Sequence, residues 1–378
     1  MSAKTYKVLG LMSGSSLDGL DIAFCEFNFE NGNILDWKIL QAETLPFSEM
    51  WQSRLAHLPV QNALTYAQTH AYFGHYMGQL VNDFLAKYKI KPDFIASHGH
   101  TIFHNPDKRM TAQIGDGAAL AATTGFTVIS DFRTQDIAID GEGTPLAPAA
   151  DKYLFDGYEF YLNIGGIANV SCNINGKMIA FDIGGANQIF NRLANLANKE
   201  YDEDGKLAAS GEIENELLQE VNSIDYFSQK YPKSLDNQWV SNHLVKPFLA
   251  FPASIENRLR TACEQLAEQT VSSVLQIIKN EDFKKEKYQM LVAGGGVFNS
   301  FLIKRMQALF SEKINLEIVV PSKEIIQFKE AALMALLGVL RMENIPNCLS
   351  SVTGAKRDTV GGAVYAAPVP KGNDKIDR

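Results

Sequence analysis

The sequence is most constrained by one arrangement of strands and glycine turns that occurs twice. In the first copy, an apolar strand from Tyr6 to Met12 leads through a turn of Ser and Gly residues into a second strand from Leu20 to Phe29. The turn Asn31-Gly32-Asn33 then leads into a third strand that starts at Ile34. Apolar runs of this length, separated by Gly and Asn, predict antiparallel strands joined by tight turns.

A second copy of the arrangement begins in the middle of the chain. Its first strand runs from Tyr158 to Asn163, and the turn Ile164-Gly165-Gly166 leads into a strand from Ala168 to Ile174. Asn175-Gly176 follows, and this dipeptide between two strands is the strongest short signal for a hairpin. The two copies predict a duplicated domain, although strand–turn–strand patterns are common enough for coincidence to be the alternative.

Helical and strand patterns alternate through the rest of the chain. Apolar residues recur at a spacing of three to four over Gln61 to Tyr88, again before Glu281, and over Ile326 to Met342. Short apolar strands lie between these segments, at Phe94-Ile95-Ala96, Thr127-Val128-Ile129, Met290-Leu291-Val292 and Glu317-Ile318-Val319-Val320. This alternation predicts an α/β fold with sheets flanked by helices.

Length and composition limit both the organisation and the function of the chain. At 378 residues it exceeds what one hydrophobic core usually serves, so we expect two domains. A net charge of −8 at pH 7 argues against a dedicated nucleic-acid-binding protein. The longest apolar stretch, Ala331 to Leu340, is too short to span a membrane, and no signal-peptide pattern is present. We therefore expect a cytoplasmic protein without membrane or nucleic-acid partners.

The first Ser/Gly turn, from Ser13 to Gly19, suggests an anion site. Its glycines would let backbone N–H groups approach a phosphate, and its serines add hydroxyl donors. Asp18 and Asp21 could hold Mg²⁺ through water. The chain lacks the P-loop and the Rossmann fingerprint, so the alternative remains that this segment is only a turn.

Further glycine turns follow strands in the second half of the chain. They are Gly165-Gly166, Gly184-Gly185 and the three glycines within Met290 to Asn299, after which a helix is predicted to start. Backbone at such a junction can pass close to a nucleotide, with a helix N-terminus facing a phosphate. One glycine turn is weak evidence, whereas several turns after strands favour a polyphosphate ligand held between domains.

Asp182 is the best candidate for a general base. It lies at the end of a strand of otherwise apolar residues and precedes Gly184-Gly185. Apolar neighbours raise the pKa of a carboxyl group toward the working pH of a base. The alternative is that Asp182 only caps a turn.

Three histidines, His98, His100 and His104, follow the strand that starts at Phe94. Their spacing could supply half of a zinc site, completed by Asp116 or Asp131, and so a zinc hydrolase. The same segment, Ser97 to Thr101, could instead bind the hydroxyl groups of a sugar.

Several segments together resemble the 1,6-anhydro-N-acetylmuramic acid kinases, cell-wall recycling enzymes of the actin/hexokinase/Hsp70 superfamily. The matching segments occur in the order of the family over nearly the whole chain. They are GLMSGSSLDGLD from Gly10, SHGHTIFHNP from Ser97, QIGDGAALAATTG from Gln113, SDFRTQDIA from Ser130, NIGGIANVS from Asn163, FDIGGAN from Phe181, GGGVFN from Gly294 and SVTGA from Ser351.

This resemblance implies the fold and the reaction. It implies two actin-like, ribonuclease H-like domains with mixed sheets flanked by helices and an active site in the interdomain cleft. The expected division is 1–134 with 350–378 for the first domain and 135–349 for the second. The implied enzyme uses ATP and Mg²⁺ to phosphorylate O6 while water opens the 1,6-anhydro ring, yielding N-acetylmuramate 6-phosphate for peptidoglycan recycling. A homodimer is also implied.

The resemblance also assigns roles to residues. Asp182 would be the catalytic base. Mg²⁺ would be held through water by Asp18 and Asp21. The sugar would be contacted by His98, Asp116, Arg133, Asp136 and Glu330. The nucleotide would be contacted by Gly14, Ser15, Ser16, Leu17, Asp18, Gly19, Leu20, Asp21, Gly165, Gly166, Gly294, Gly295, Gly296 and Asn299.

This sequence departs from the family pattern at several positions. Ser15 replaces the usual Thr, and the turn after Asp182 is altered. Extra acidic residues, Asp140 and Glu142, occur where the family has G-G-Q-G-A-P, and Asp151 falls where His is frequent. They suggest that the sugar could differ. Two alternatives to this kinase are therefore a kinase of another sugar and a non-catalytic Hsp70-like ATP switch or sugar sensor.

Overall fold

Strands and helices alternate along the chain in the computed structural model, which describes residues 3–14, 17–155, 157–174 and 177–369. The strands are β1 (Lys4–Ser13), β2 (Gly19–Glu30), β3 (Asn33–Pro46), β4 (Phe94–Asn105), β5 (Met110–Ile114), β6 (Val128–Ser130), β7 (Phe160–Ile164), β8 (Ile167–Ile174), β9 (Lys177–Gly185), β10 (Tyr288–Ala293), β11 (Leu316–Val319) and β12 (Ala363–Tyr365). The α-helices are α1 (Glu49–His57), α2 (Ala63–Tyr88), α3 (Gly117–Thr124), α4 (Thr134–Ala138), α5 (Ala147–Tyr153), α6 (Asn187–Leu196), α7 (Lys206–Ser210), α8 (Asn215–Asn222), α9 (Asp225–Ser228), α10 (Asn237–Val240), α11 (Lys246–Ala250), α12 (Ile255–Asn280), α13 (Ser300–Lys313), α14 (Lys323–Met342) and α15 (Ser350–Thr353).

The chain divides into two units, each with its own sheet. The first unit contains the residues up to Leu154 and those from Phe328 onward, and the second contains Phe155–Gln327. The sheet of the first unit has the strand order β12-β6-β4-β1-β2-β3, with β5 paired to β4. The sheet of the second unit has the order β11-β10-β7-β8-β9. Both sheets mix parallel and antiparallel pairs, as the predicted fold class requires.

The two sheets share one topology, which confirms the predicted duplication. In each unit the first three strands form an antiparallel meander, and the next strand pairs parallel to the first strand. A further parallel strand extends each sheet, namely β6 beside β4 and β11 beside β10. The order of these five strands is therefore the same in both units, and the first sheet adds β5 and β12. Helices connect the parallel strands as their crossovers require.

Helix α2 has the spacing of apolar residues that the sequence predicts for a helix. The side chain of Asn62 accepts a hydrogen bond from the backbone N–H of Thr65 and so caps the start of the helix. Phe73, Met77 and Phe84 are fully buried on one face, as a spacing of three to four residues requires. The predicted helix over 61–88 is confirmed.

Helix α14 explains where the chain returns to the first unit. Gly10 on β1 lies against this helix so closely that a β-carbon there would overlap with the backbone carbonyl of Ala331. Gly338 packs in the same way beside Ala96 of β4. Because α14 is packed on the first sheet, that unit resumes at Phe328, which differs from the predicted division at 349/350. The other division, at 154/155, also differs from the predicted 134/135, since α4 and α5 belong to the first unit.

Candidate active site

The first glycine turn connects β1 to β2 in the first unit. Ser15 and Ser16 lie outside the described residues. On either side of them, the N–H of Leu17 donates to the carbonyl oxygen of Gly14 over 3.4 Å. Gly19 begins β2 where a β-carbon would lie 2.5 Å from the carbonyl oxygen of Leu45, so this position requires glycine. The turn is thus anchored by β2 and β3 at its far end.

Acidic side chains gather next to this turn. Asp21 lies on β2, and its Oδ1 accepts a hydrogen bond from the hydroxyl of Thr44 over 2.5 Å. Burial raises the pKa of Asp21, and the negative charges of Asp18 and Glu330 raise it further. The predicted residues Asp18, Asp21 and Glu330 are therefore close enough to interact electrostatically. Carboxylate oxygens are the ligands that Mg²⁺ prefers, but among the described residues these three acids do not form a group placed to hold a metal ion directly.

His98 is buried in the first unit and interacts electrostatically with Arg133, which is half-buried. The Nδ1–H of His98 donates to the carbonyl oxygen of Gly99 over 3.1 Å, which leaves Nε2 as an acceptor. Burial and the charge of Arg133 lower the pKa of His98 to about 3, so the ring is neutral at pH 7. Burial also lowers the pKa of Arg133, to about 10, and its guanidinium stays charged. Within the described residues, His98 Nε2 and Arg133 Nε are buried and have no hydrogen-bond partner.

The histidine segment does not form the zinc site that its spacing allowed. His100 Nδ1 contacts the hydroxyl of Ser13 at 3.0 Å, and His104 Nδ1 contacts that of Thr111 at 3.2 Å. In the part of the chain that the structure describes, no group of three or more His, Cys, Asp or Glu side chains is placed to hold a metal ion. The three histidines therefore have different hydrogen-bond partners, and the zinc-hydrolase hypothesis lacks its site among the described residues.

Two predicted sugar contacts are engaged in the fold of the first unit. Asp116 caps α3, since its Oδ1 accepts hydrogen bonds from the N–H groups of Ala118 and Ala119. Asp136 is fully buried, and its two carboxylate oxygens accept hydrogen bonds from the Gly143 N–H and the Thr353 hydroxyl. These bonds give both carboxylates a structural role, whatever else they contact.

The acidic residues that depart from the family pattern have different surroundings. Asp140 forms ion pairs with Arg109 at 2.5 Å and Lys356 at 2.6 Å. The hydrogen bond from Lys356 lowers the pKa of Asp140. Two cations therefore offset this negative charge. Asp151 is buried in α5, and Glu142 is exposed.

Asp182 lies on the edge strand of the second sheet. The pairing of β9 with β8 shifts by one residue here, because Asp182 pairs with Asn169 and Gly184 pairs with Ala168. Ile183 is the extra residue of this bulge, and a bulge changes the direction of the neighbouring side chains. The N–H of Leu235 donates to Asp182 Oδ2 over 2.8 Å. Burial raises the pKa of Asp182, and the hydrogen bond from Leu235 opposes that effect.

The three-glycine segment after β10 packs against the turn that starts the second sheet. Gly294 has a φ of +86°, and a β-carbon there would lie 2.6 Å from the carbonyl oxygen of Ile164. A β-carbon on Gly296 would overlap with the side chain of Ile164. Gly295 is exposed, and its hypothetical β-carbon meets nothing nearer than Asn187 Nδ2 at 3.6 Å. The outer glycines therefore serve packing, while Gly295 presents open backbone.

Asn299 and the Gly165-Gly166 turn complete the second unit's glycine-rich region. The Oδ1 of Asn299 accepts from the N–H of Leu302 over 3.0 Å and caps α13. The carbonyl oxygens of Gly165 and Gly166 accept hydrogen bonds from the N–H groups of Asn187 and Gln188 at the start of α6. The structure thus brings the predicted glycines of this unit together around two helix starts.

The residues that surround Asp182 were not predicted from the sequence. Asp182 accepts hydrogen bonds from Tyr226 and Leu235, and Lys233 donates one to Tyr226. All three residues lie 44 to 53 positions further along the chain than Asp182. Their segment has no strand or helix periodicity that would mark it. Lys233 follows two tyrosines, Tyr226 and Tyr231, and this is only a weak local signal.

Comparison with known proteins decides the family. The family model described as anhydro-N-acetylmuramic acid kinase matches residues 6–367. The chain belongs to this family. The anhydro-N-acetylmuramic acid kinase of Hydrogenovibrio crunogenus is 34% identical over 94% of this chain and 97% of its own length. That of Haemophilus influenzae is 32% identical over 97% of this chain and 99% of its own length. Membership of the anhydro-N-acetylmuramic acid kinase family makes this protein a sugar kinase, and a kinase uses a nucleotide such as ATP as its phosphoryl donor.

Two further findings concern structure. Among solved structures, the activator of the 2-hydroxyisocaproyl-CoA dehydratase from Clostridium difficile with bound ADPNP is similar at 14% identity, with a TM-score of 0.41, over 89% of this chain and 96% of its own. In the described residues of this anhydro-N-acetylmuramic acid kinase family member, no helix is long and apolar enough to cross a membrane.

Proposed function

We propose that this protein phosphorylates O6 of 1,6-anhydro-N-acetylmuramic acid with ATP while water opens the anhydro ring. The oxygen of water attacks C1, the bond between C1 and O6 breaks, and O6 takes the γ-phosphoryl group as ADP leaves. One sugar, one water and one ATP give N-acetylmuramate 6-phosphate, ADP and a proton. The observation that carries the proposal is the carboxylate of Asp182, half-buried at a strand bulge and held at one oxygen.

Asp182 is the proposed acceptor of the proton from water. Its Oδ2 is engaged by the Leu235 N–H, and Oδ1 accepts no hydrogen bond from any residue that the structure describes. A general base needs a free lone pair and a pKa raised toward neutral pH. Burial raises the pKa of Asp182 in this direction. Oδ1 would therefore take the proton.

The first turn and the glycines of the second unit are the proposed nucleotide contacts. Phosphoryl transfer depends mainly on positioned donors and on charge stabilisation. Gly14 to Asp21 would contact the phosphates, and the open backbone at Gly295 would pass close to the nucleotide. Asp18 and Asp21 would hold Mg²⁺ through water, and the ion would neutralise charge on the phosphates when bound. In that case Asp18→Asn raises the Mg²⁺ concentration needed for half-maximal rate.

His98 and Arg133 are proposed to recognise the acid group of the sugar. Muramic acid differs from glucosamine by a lactyl ether whose carboxylate is negative at neutral pH. The Nε atom of Arg133 is buried and has no hydrogen-bond partner among the described residues, and a carboxylate is the ligand that suits a guanidinium best. His98 Nε2 can accept a hydrogen bond from the free hydroxyl or the amide N–H of the same sugar. Glu330 lies within electrostatic reach of Arg133 and is a further proposed sugar contact.

The test combines product mass with isotope labelling. ADP release is measured with Mg²⁺ and ATP, with and without the anhydro sugar, in H₂¹⁸O. The product should be heavier than the sugar by one phosphate group and one water, with the ¹⁸O at C1 and none in the phosphate. Sugar-independent ADP release, or ATP binding without turnover, would instead favour another sugar or a sensor.

A variant pair tests the base. Asp182→Asn should lower kcat by about 10²- to 10⁴-fold and leave ATP binding intact. Asp225→Asn, a matched change at an exposed carboxylate in the same unit, should leave kcat unchanged. Full activity of Asp182→Asn would contradict the mechanism. The peptidoglycan-recycling role, the cytoplasmic location and the homodimer stay predictions that this assay does not address.

A further inference from the structure

One segment of the second unit, residues 226–235, engages Asp182 at three atoms, and we call it the strap. The N–H of Asp182 donates to the carbonyl oxygen of Lys233 over 3.2 Å. The hydroxyl of Tyr226 donates to the carbonyl oxygen of Asp182 over 2.7 Å. The Leu235 N–H donates to Oδ2 over 2.8 Å. The strap therefore determines both the backbone and the side-chain position of this residue.

Asp182 needs such support because of its place in the sheet. Strand β9 is the edge strand, so no further strand pairs with its outer side. Its ladder to β8 is also interrupted at this point by the bulge at Ile183. A bulged edge strand has lost neighbouring ladder bonds, and its backbone is less constrained. The strap supplies the missing partners at the residue proposed to act as the base.

Tyr226 and Lys233 hold the strap in place. Tyr226 is buried, and its carbonyl oxygen accepts a hydrogen bond from Lys233 Nζ over 3.0 Å. The same Nζ lies 4.5 Å from the centre of the Tyr226 ring and 5.7 Å from that of Phe181, which precedes Asp182. Within the described residues, Lys233 forms no ion pair with a carboxylate. Lys233 is half-buried, and partial burial of an ammonium group without a counter-charge is unfavourable, so its contacts with the two rings and one carbonyl indicate a specific role.

We propose that Tyr226 and Lys233 are positioning residues that determine which carboxylate oxygen of Asp182 accepts the proton from water. They fix the strap, the strap fixes Oδ2 through the Leu235 N–H, and Oδ1 is left to face the water. This inference rests on the proposed function, in which Asp182 is the general base. Neither residue touches the reacting atoms in this proposal.

The test uses Tyr226→Phe, which removes only the hydroxyl, and Lys233→Met, which removes the charge and keeps the length. Each should lower kcat by about tenfold or more, since small displacements of a catalytic group have large effects on rate. The KM for ATP should stay within twofold. The acid limb of the kcat/KM profile should move to higher pH, because a looser strap weakens the Leu235 hydrogen bond that favours the ionised carboxylate. Lys233→Arg should recover part of the rate.

Matched controls separate positioning from general packing. Tyr161 is a buried tyrosine of the same sheet whose hydroxyl donates to the carbonyl oxygen of Phe155 over 2.8 Å. Lys285 lies with its Nζ 5.6 Å from the centre of the Phe283 ring. Tyr161→Phe and Lys285→Met should keep the wild-type acid limb.

The outcomes distinguish this inference from the proposed function. If the wild type turns over the sugar, Asp182→Asn is inactive and the two strap variants keep wild-type kcat and acid limb, the inference alone is wrong. If the wild type has no turnover, or Asp182→Asn is active, the proposed base is wrong and the inference is overturned with it. A ¹³C NMR titration of the Asp182 carboxyl, assigned with Asp182→Asn, gives a readout that does not depend on rate. An unchanged titration midpoint in both strap variants also overturns the inference.

Discussion

The hydroxyl of Thr353 donates a hydrogen bond to Asp136 Oδ1 over 2.9 Å, although the two residues lie 217 positions apart. The other carboxylate oxygen of Asp136 accepts from the Gly143 N–H over 2.8 Å. Two of the segments that carry the family resemblance, one around Asp136 and one around Thr353, are therefore joined inside the first unit. This buried carboxylate connects the loop after α4 to α15.

Thr353→Val should destabilise the protein and leave catalysis almost unchanged. The substitution keeps the shape of the side chain but leaves a buried carboxylate oxygen of Asp136 without its donor, which costs about 1–3 kcal/mol. Urea unfolding measures the loss, and the sugar KM should change less than twofold. Thr5→Val, at an exposed position on β1, should stay within about 0.5 kcal/mol of the wild type. A large rise in sugar KM at wild-type stability would place Asp136 at the sugar instead.

Local patterns in the sequence were enough for most strands and for the long helices, whereas β5 and β12 were not predicted. The hairpin signal at Asn31-Gly32 and the periodicity of α2 and α14 depend on residues close together in the chain, so they can be recognised without the fold. The predicted turn at Asn175-Gly176 lies outside the described residues. The duplication was predicted from the same patterns, and the strand order became known from the structure. The division between the units was harder to predict, because it depends on α14 packing against Gly10, a contact between distant segments.

The site was predictable only in part, for a related reason. Asp182 stands out because it is an acid at the end of an apolar strand. Its contacts with Tyr226, Lys233 and Leu235 depend on a segment with no periodic pattern that reaches β9 through the tertiary fold. Asn299 illustrates the opposite case, because a position before a predicted helix is typical of a cap, and its side chain does cap α13.

Gly294→Ala should destabilise the protein, whereas Gly295→Ala should raise the ATP KM and leave stability nearly unchanged. At Gly294 the positive φ and the nearby Ile164 carbonyl oxygen exclude a β-carbon, so the substitution should cost about 2 kcal/mol or more. At Gly295 the nearest atom lies 3.6 Å away, so stability should change by less than about 0.5 kcal/mol. The ATP KM should rise severalfold in Gly295→Ala if nucleotide passes over this backbone. Thermal unfolding and ATP saturation curves of the two variants decide this, and an unchanged ATP KM for Gly295→Ala would remove the glycine from the nucleotide site.

Arg133→Met should weaken binding of the acid sugar and not of ATP. A hydrogen bond to a charged group contributes about 1.5–3 kcal/mol, so the sugar KM should rise about 10- to 100-fold. The same anhydro sugar without its lactyl group should be a poor substrate of the wild type, and Arg133→Met should discriminate little between the two sugars. Arg109→Met, which breaks the exposed ion pair with Asp140, is the matched control and should keep the discrimination. Equal losses for both sugars in Arg133→Met would argue against recognition of the carboxylate.

The pKa of Asp182 predicts both a pH profile and a stability change. Burial raises this pKa in the folded protein, and a base acts in its ionised form, so kcat/KM should fall at a pH above the ordinary aspartate value of about 3.9. The folded state also binds the proton more tightly than the unfolded state does. The associated stability is present below the unfolded-state pKa and is lost as the pH rises through the folded-state pKa.

At pH 7, therefore, ionised Asp182 lowers the stability of the protein, and Asp182→Asn should raise Tm. The Asn side chain can still offer an oxygen to the Leu235 N–H, so the hydrogen bond need not be lost. The difference in Tm should shrink as the pH is lowered toward the unfolded-state value, where Asp182 is protonated in both states. Asp36→Asn, at an exposed position on β3, should show little change at either pH. A lower Tm for Asp182→Asn at pH 7 would mean that the carboxylate stabilises the strand end. The prediction that the ionised base lowers the stability of the protein would then be wrong.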